Sequence, residues 1–401
     1  MNTAIYTLTS ALHDEKAIKA QTQEFLDSLK IDYLLRGDDF SDFGQHTLNL
    51  IYVRTGGTEG IFLKMFTDLT KRCPHPIYLL TSGKSNSLAA SMEILSFLRQ
   101  QRLEGEIIHG TPEYIAQRIK ELEQQCLIRQ RLRGCRLGII GQPSDWLISS
   151  HACPEELRCR LGVELVDVPM EELLAEIDKA SDVLPPPITA KGSEQVVASL
   201  AGAAKIYHAL KTIVKRFGLK GFTLRCFDLL SAVHNTGCLA LAKLNSEGVI
   251  AGCEGDVPAM VSMAVAQATT GGTGFQANPS SIDPQTGRIT FAHCTIPLDM
   301  VERYELDTHF ESGIGVGIRG YVKPGPITIF KLAGNLSRSF IAEGALLECQ
   351  DKPDLCRTQM LIQLDDPTLT SYFLSNPIGN HHIIIPGRHK MALTHILHAN
   401  D

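Results

Sequence analysis

The sequence from residue 248 to residue 263 reads GVIAGCEGDVPAMVSM, and it decides the fold class of the middle of the chain. Residues 248–251 form an apolar run that predicts a buried strand, and a helix is predicted from about Val257. Glu254 and Asp256 lie between them, on either side of a glycine. In open α/β sheets ligands bind beyond the carboxyl ends of the strands, and carboxylate oxygens suit a hard divalent cation. The stretch therefore predicts an α/β layer with a candidate cation site at a strand end.

The same residues also have a purely structural interpretation. Asp256 is in the right place to cap the following helix, and Glu254 would then be a solvated side chain. This stretch taken alone favours neither interpretation.

Strand–helix alternation extends from this stretch back towards the start of the chain. Two helices are delimited by their caps, one from Thr111 to Gly134 and one from Ser193 to Gly218. Residues 182–189, DVLPPPIT, predict a rigid extended connector. Such alternation predicts mostly parallel sheets covered by helices. The strands predicted on this side are 49–53, 76–80, 106–109, 136–141, 164–168 and 222–226.

After about Gly271 the helical periodicity fades, and short strand-like runs separated by turn residues follow. This pattern is typical of an antiparallel sheet or a small barrel. We therefore predict an α/β fold with three domains: 1–134 and 135–270, each with a parallel sheet, and a mostly β, barrel-like domain at 271–401. The strands predicted in this last part are 289–292, 320–322, 327–331, 360–363 and 382–385.

Composition narrows the classes of function. The chain has 401 residues and a formal net charge of −6, so it lacks the basic character of nucleic-acid-binding or membrane-surface proteins. No apolar run approaches the roughly 18–20 residues that span a bilayer. The eleven cysteines contain no CxxC pair, and the first residues do not form a secretory signal. We expect a cytoplasmic protein with reduced thiols and neither nucleic acid nor membrane as a partner.

Three further places carry side chains suited to chemistry. His293 lies in FAHCT (291–295), His381 and His382 lie in GNHHI (379–383), and Asp228 follows a predicted strand. A histidine in an apolar run is more often a buried core residue than a ligand, and a strand-end aspartate usually caps a turn. Because neighbouring strand residues point to opposite faces, at most one of the two adjacent histidines can face a given site.

Glycine-rich stretches do not indicate a nucleotide site. The glycines of GIGVGIRG (313–320) neither follow a βαβ strand nor open a helix, and TSGKS (81–85) lacks the spacing of a phosphate-binding P-loop. A dinucleotide or P-loop function is therefore not predicted.

The order of these motifs resembles the catalytic core of the L-fucose/L-arabinose isomerase superfamily. The resemblance rests on residues 248–263, FQANPSSID (275–283), AHCT (292–295) and GNHH (379–382), and on the loop 141–146. It implies two flavodoxin-like α/β domains and a β-barrel. It also implies a homo-oligomer, a trimer or hexamer, that binds a sugar as its substrate and uses a divalent metal, commonly Mn²⁺.

The resemblance also implies the site residues. The metal is expected on two acidic residues and a histidine: Glu254 or else Asp256, with Asp228 as the second carboxylate and His381 as the first choice of histidine. His293 matches a histidine of the arabinose-type pattern. The substrate is expected to contact Trp146, Asn278 and His382, the last of which is also an alternative metal ligand. Asn278 lies in a segment where the arabinose enzymes carry a glutamate, which favours a fucose-like site or a different chemistry.

The chemistry implied is interconversion of an aldose and a ketose through a cis-enediol. In that reaction Glu254 and Asp228 would carry protons as general base and acid. Two other functions remain compatible with the residues: a different enediolate reaction, such as that of an epimerase or aldolase, and non-catalytic sugar binding on the same scaffold.

Overall fold

The computed structural model describes residues 2–72, 76–188 and 191–397, which form two compact units. The first unit ends at Gln130 and the second is Arg131–Leu397. The central α/β layer and the barrel both lie within the second unit. The predicted division at 135–270 and 271–401 stays a prediction. The predicted connector 182–189 ends at Thr189, which lies outside the described residues.

The first unit contains a five-stranded parallel sheet in the order β2-β1-β3-β4-β5, which is the flavodoxin-like order. All six residues of β1 and of β3 are buried, as expected for strands covered on both faces. The elements are β1 (Thr3–Leu8), α1 (Glu15–Leu29), β2 (Leu34–Gly37), β3 (Leu48–Val53), α2 (Glu59–Arg72), β4 (Ile77–Leu80), α3 (Ser87–Gln100), β5 (Gly105–Ile108) and α4 (Pro112–Leu132).

The second unit begins with a four-stranded parallel sheet in the order β7-β6-β8-β9. The reversal of strand order between β6 and β8 places the carboxyl ends of these strands beside a crevice, where α/β proteins bind ligands. The elements are β6 (Arg136–Ile140), α5 (Pro154–Glu156), β7 (Glu164–Val168), α6 (Met170–Lys179), α7 (Glu194–Phe217), β8 (Gly221–Leu224), α8 (Asp228–Val233), α9 (Cys238–Ser246), β9 (Ile250–Cys253) and α10 (Val257–Thr270).

The rest of the second unit is a closed antiparallel barrel, β10-β11-β16-β15-β14-β17, with a separate hairpin β12-β13. These two parallel sheets and the barrel confirm the predicted fold class. The elements are β10 (Phe275–Asp283), β11 (Arg288–His293), β12 (Arg303–Asp307), β13 (Gly317–Tyr321), β14 (Gly325–Leu332), β15 (Ser339–Cys349), β16 (Thr358–Leu364), α11 (Thr370–Ser375), β17 (His382–Pro386) and α12 (Lys390–Leu397).

Helix α7 joins the parallel sheet to the barrel. Val196 and Leu200, near its start, belong to the core of the barrel. Leu210 and Ile213, near its end, belong to the core of the parallel sheet. Burial of an aliphatic side chain contributes roughly 1.5–3 kcal/mol, so these residues fix the barrel against the sheet.

The strands that carry the site differ slightly from their predicted bounds. β9 is Ile250–Cys253 rather than 248–251, because Gly248 has a φ of +81° and belongs to the preceding turn. β8 ends at Leu224 rather than at residue 226, because the N–H of Cys226 donates to the carbonyl of Leu224 and turns the chain. Both shifts leave Glu254 and Asp228 just beyond a strand end.

Within the described part of the chain, no helix is both long enough and apolar enough to cross a bilayer.

Candidate metal centre

Glu254 follows β9 in a tight turn that presents its side chain at the edge of the sheet. Glu254 and Gly255 both have a left-handed backbone, with φ of +62° and +68°. A Cβ on Gly255 would lie 2.6 Å from the carbonyl oxygen of Gln142 and 2.7 Å from Cα of Pro143. The N–H of Ser144 donates to the carbonyl of Glu254 over 3.1 Å. The loop after β6 therefore packs directly on the turn, and only glycine fits at the contact.

Gln276 of β10 holds the residue before this turn. Its Oε1 accepts from the N–H of Cys253 over 2.9 Å, and its Nε2 donates to the carbonyl of Cys253 over 3.3 Å. A side-chain amide that satisfies both backbone groups of one residue replaces a neighbouring strand at that point. Gln276 thus fixes the backbone direction from which Glu254 projects.

Two histidines of the barrel meet Glu254. Its Oε1 lies 3.6 Å from Nε2 of His293, at the end of β11, and 3.5 Å from Nε2 of His381, immediately before β17. Each of the three residues offers one ligand atom, and these atoms all lie within 4.8 Å of one another. Among the residues that the structure describes, no other set of three or more acidic, histidine or cysteine side chains is grouped so closely.

A second layer of polar groups orients the two rings. Nδ1 of His381 lies 2.8 Å from Oδ2 of Asp256, and Nδ1 of His293 lies 3.2 Å from Oγ1 of Thr295. Asp256 also caps α10, because its Oδ1 accepts from the N–H of Ala259 over 2.7 Å. Ligating histidines commonly bond their second nitrogen to a carboxylate in this way. Asp256 therefore combines the capping role with contact to the site.

The charges of the cluster shift the pKa values of its members. Burial alone would raise the pKa of Glu254, but the charges of His381 and His293 hold it well below its usual range. Burial also opposes ionisation of Asp256, yet Lys331 and His381 lower its pKa to about 2. Burial disfavours the protonated form of His381, but the two carboxylates raise its pKa to about 9. Both acids are therefore anions at neutral pH.

The donor set fits a divalent metal. Nε2 of His381 is buried and makes no hydrogen bond to any described residue, and the same holds for Oδ1 of Asn278. Asn278 lies on β10 one residue after Ala277, which pairs with His382 of β17. Two imidazoles and a carboxylate suit Mn²⁺, Fe²⁺ or Zn²⁺.

The other predicted residues lie at different distances from the cluster. Trp146 donates from Nε1 to Oε2 of Glu254 over 2.7 Å, and its side chain is half exposed. His382 is also buried, and its Nε2 lies 3.0 Å from the hydroxyl of Tyr372. Asp228 begins α8 and is paired with Nε of Arg225 at 3.0 Å. The structure therefore joins Trp146 to the cluster and leaves Asp228 outside it.

Comparisons with known proteins find relatives that share one name. No protein-family model matches the chain. The chain is similar to sulfoquinovose isomerases. That of Priestia aryabhattai is 22% identical over 268 residues, covering 62% of this chain and 59% of the relative. That of Clostridium sp. (strain MSTE9) is 24% identical over 287 residues, covering 64% and 61%. The chain thus spans about three fifths of the length of these relatives.

Several residues of the site were not predicted. Phe227 packs edge-on against Trp146 at a centroid distance of 4.9 Å, and His309 also packs edge-on against Phe227 at 5.7 Å. Lys331 reaches Asp256 from β14. An isolated phenylalanine, a histidine in a loop and a lysine in a strand carry no local motif, so only the folded structure groups them with Glu254.

Proposed function

We propose that the protein is a metal-dependent aldose–ketose isomerase that acts on a sugar through a cis-enediol. The observation that carries the proposal is the group Glu254, His293 and His381, with Asp256 bonded to the second nitrogen of His381. The name of the relatives supports sulfoquinovose as the first substrate to test.

Isomerisation moves a proton between C1 and C2 of the sugar and another between their oxygens. The C–H proton beside a carbonyl is weakly acidic, so the site needs a proton acceptor and a way to stabilise negative charge on the oxygens. A divalent cation, Mn²⁺ in our proposal, held by Glu254, His293 and His381 would supply Lewis-acid polarisation of those oxygens.

Glu254 is the residue to which we assign the proton transfer at carbon. Its low pKa keeps it ionised, and its side chain is 13% exposed. Oε1 faces the histidines, whereas Oε2 accepts from Trp146 and is the oxygen we assign to the proton. A placed base of this kind typically contributes roughly 10²–10⁴-fold to the rate.

Other residues beside the cluster receive supporting roles. Trp146 and Phe227 form an aromatic edge beside Glu254 against which the apolar face of a sugar can pack. Asn278 offers an amide oxygen to the metal or to a sugar hydroxyl. Asp228 as the second proton carrier, and His382 as a substrate contact or ligand, stay predictions for mutagenesis to test.

Metal analysis and proton exchange test the proposal directly. The purified protein is expected to bind Mn²⁺ and, with a substrate, to exchange a C1 or C2 proton with deuterated water, observed by NMR. The sugars to compare are sulfoquinovose, L-fucose and L-arabinose. Metal binding without exchange on any sugar would favour a non-catalytic sugar-binding protein, and absence of both would contradict the proposal.

Replacing the carboxylate of Glu254 separates its role from that of Asp228. We predict that Glu254→Gln lowers kcat by roughly 10²–10⁴-fold, because the amide cannot accept the proton. Asp228→Asn is the matched control of the same chemical kind. A comparable loss in Asp228→Asn would support Asp228 as the second proton carrier, and normal activity would remove it from the mechanism. Near-normal activity of Glu254→Gln would contradict our assignment.

A homo-oligomer, trimeric or hexameric, and a cytoplasmic location remain part of the proposal. Light scattering on the purified protein measures the first, and cell fractionation measures the second.

A further inference from the structure

A lysine that the proposed reaction does not use is buried beside the candidate metal centre. Lys331 lies on β14, pairs with Phe340 of β15, and has a side chain that is 0% exposed. Its Nζ makes no hydrogen bond to any residue that the structure describes. Withdrawing an ammonium group from water costs several kcal/mol. A buried lysine in the apolar run ITIFKL (327–332) therefore destabilises the fold unless an anion pairs with it.

The nearest anion is Asp256. Nζ of Lys331 lies 3.5 Å from Oδ2 of Asp256, and this is the oxygen that lies 2.8 Å from Nδ1 of His381. The other oxygen, Oδ1, already accepts from the N–H of Ala259 at the start of α10. Each carboxylate oxygen of Asp256 thus has a partner, and the carboxylate cannot rotate without breaking one of these contacts.

Lys331 is also close to the backbone segment that carries His381. A Cβ on Gly379 would lie 3.9 Å from Cε and 4.0 Å from Nζ of Lys331. Gly379 is two residues before His381, so the ammonium group lies between Asp256 and the segment that carries the ring. The lysine thus contacts Asp256 and lies close to the segment that carries His381.

We propose that Lys331 is a positioning residue of the candidate metal centre: it holds Oδ2 of Asp256 against Nδ1 of His381 and so keeps Nε2 of His381 directed at Glu254. The inference rests on the metal site of the proposed function. It assigns Lys331 no contact with the substrate.

The sign of one measurement separates this role from two simpler ones. As a mere positive charge near the site, Lys331 would repel a divalent cation, and its removal would tighten metal binding. As an ordinary buried ion pair, it would affect stability and leave metal affinity unchanged. As a positioning residue, its removal weakens metal binding, because partners of a ligating histidine typically account for 10–100-fold in affinity.

The experiment is a manganese titration of the 401-residue chain, in which electron paramagnetic resonance measures the free ion. Lys331→Met is expected to weaken Mn²⁺ binding by about tenfold or more. Thr328→Val, at another fully buried polar residue of β14, is the matched control and is expected to bind as the wild type does. Wild-type or tighter binding by Lys331→Met overturns the inference.

A double-mutant cycle with Asp256→Asn tests whether Lys331 acts through Asp256. Asp256→Asn alone should weaken Mn²⁺ binding by a similar factor, and adding Lys331→Met should weaken it no further. A further tenfold loss in the double variant overturns the inference. The double variant also removes both charges of the pair. If Lys331→Met alone does not fold, the comparison of the double variant with Asp256→Asn therefore still tests the inference. Absence of Mn²⁺ binding by the wild type would instead contradict the proposed function, and this inference with it.

Discussion

The backbone of Glu254 carries the strain expected of a functional residue. A non-glycine residue with a left-handed backbone costs roughly 1 kcal/mol or more, and it persists only where its surroundings impose it. Here Ser144 bonds the carbonyl of Glu254, and Gln276 bonds the residue before it. These backbone contacts therefore set the direction of the Glu254 side chain. That direction also depends on Gly255, the glycine that follows.

We predict that Gly255→Ala destabilises the protein by about 2–4 kcal/mol, because the new methyl group meets backbone atoms of Gln142 and Pro143 at a positive φ. The measurement is the free energy of unfolding from urea titration. Gly271→Ala is the matched control: Gly271 also has a positive φ, +88°, but a Cβ there meets no atom within 4 Å. Its cost should be about 1 kcal/mol. Equal effects would contradict the steric argument.

The charge of His381 makes the stability of the metal-free protein depend on pH. Burial disfavours the imidazolium, but Glu254 and Asp256 raise the pKa of His381 from 6.5 to about 9. Below about pH 6.5 both folded and unfolded states hold the proton, and the stabilisation is complete. Between about pH 6.5 and 9 only the folded state holds it, so the free energy of unfolding falls as pH rises.

We expect a loss on the order of 3 kcal/mol across this interval, from the shift in pKa of His381. Urea unfolding of metal-free protein at pH 6 and pH 9 measures it. In His381→Gln the free energy of unfolding should change less over the same pH interval. The comparison uses this change and not the absolute stability at either pH. An identical slope in the variant would assign the effect to other groups.

Residue types with local signatures could be predicted from the sequence, and those without could not. Glu254 and Asp256 stand at the end of an apolar strand, and His293 and His381 belong to recognisable motifs, so all four were candidates before the fold was known. A lysine ordinarily lies on the surface. Only the closed barrel shows that Lys331 points inward at a carboxylate, and only the loop geometry shows Asp228 paired with Arg225.

Among the secondary-structure elements, helices with caps were predicted best. Helix α7 begins after Ser193 and ends before Gly218 as the sequence indicates, since the serine side chain accepts from the N–H of Val196 and the glycine has a φ of +61°. Strand β15, Ser339–Cys349, was missed. Its run SFIAEGALLEC contains alanine, glycine and glutamate, which have little strand preference, and its alternating burial arises from barrel closure.

We predict that Ser193→Ala lowers the free energy of unfolding by about 1 kcal/mol, because the first turn of α7 loses its cap. The control is Ser199→Ala on the same helix, where an exposed hydroxyl bonds the carbonyl of Gln195 within the helix. That change should be nearly neutral, since alanine favours the helix. Urea unfolding compares the two, and a larger loss from Ser199→Ala would contradict the capping argument.

At the scale of the whole molecule, the candidate metal centre belongs to one of the two compact units. All three candidate ligands lie within Arg131–Leu397. A ligand that binds only the folded state adds roughly 2.7 kcal/mol of stability at one hundred times its Kd. That stabilisation should be confined to the unit that holds the site.

We predict that Mn²⁺ slows amide hydrogen exchange in β9, β11, β17 and α10, and leaves β1 to β5 unchanged. Exchange measured by mass spectrometry with and without Mn²⁺ checks this. Glu254→Gln, with one ligand weakened, should show a smaller change. Equal protection in both units would contradict a site confined to the second.

The order of the ligands along the chain has a consequence for synthesis. Glu254 closes the last strand of the parallel sheet, His293 ends the second strand of the barrel, and His381 stands just before the final one. During translation, the carboxylate and the first histidine leave the ribosome well before the second histidine does. A nascent chain therefore holds an incomplete set of ligands until almost all of the barrel has emerged. Capture of the ion would be among the last events in its maturation.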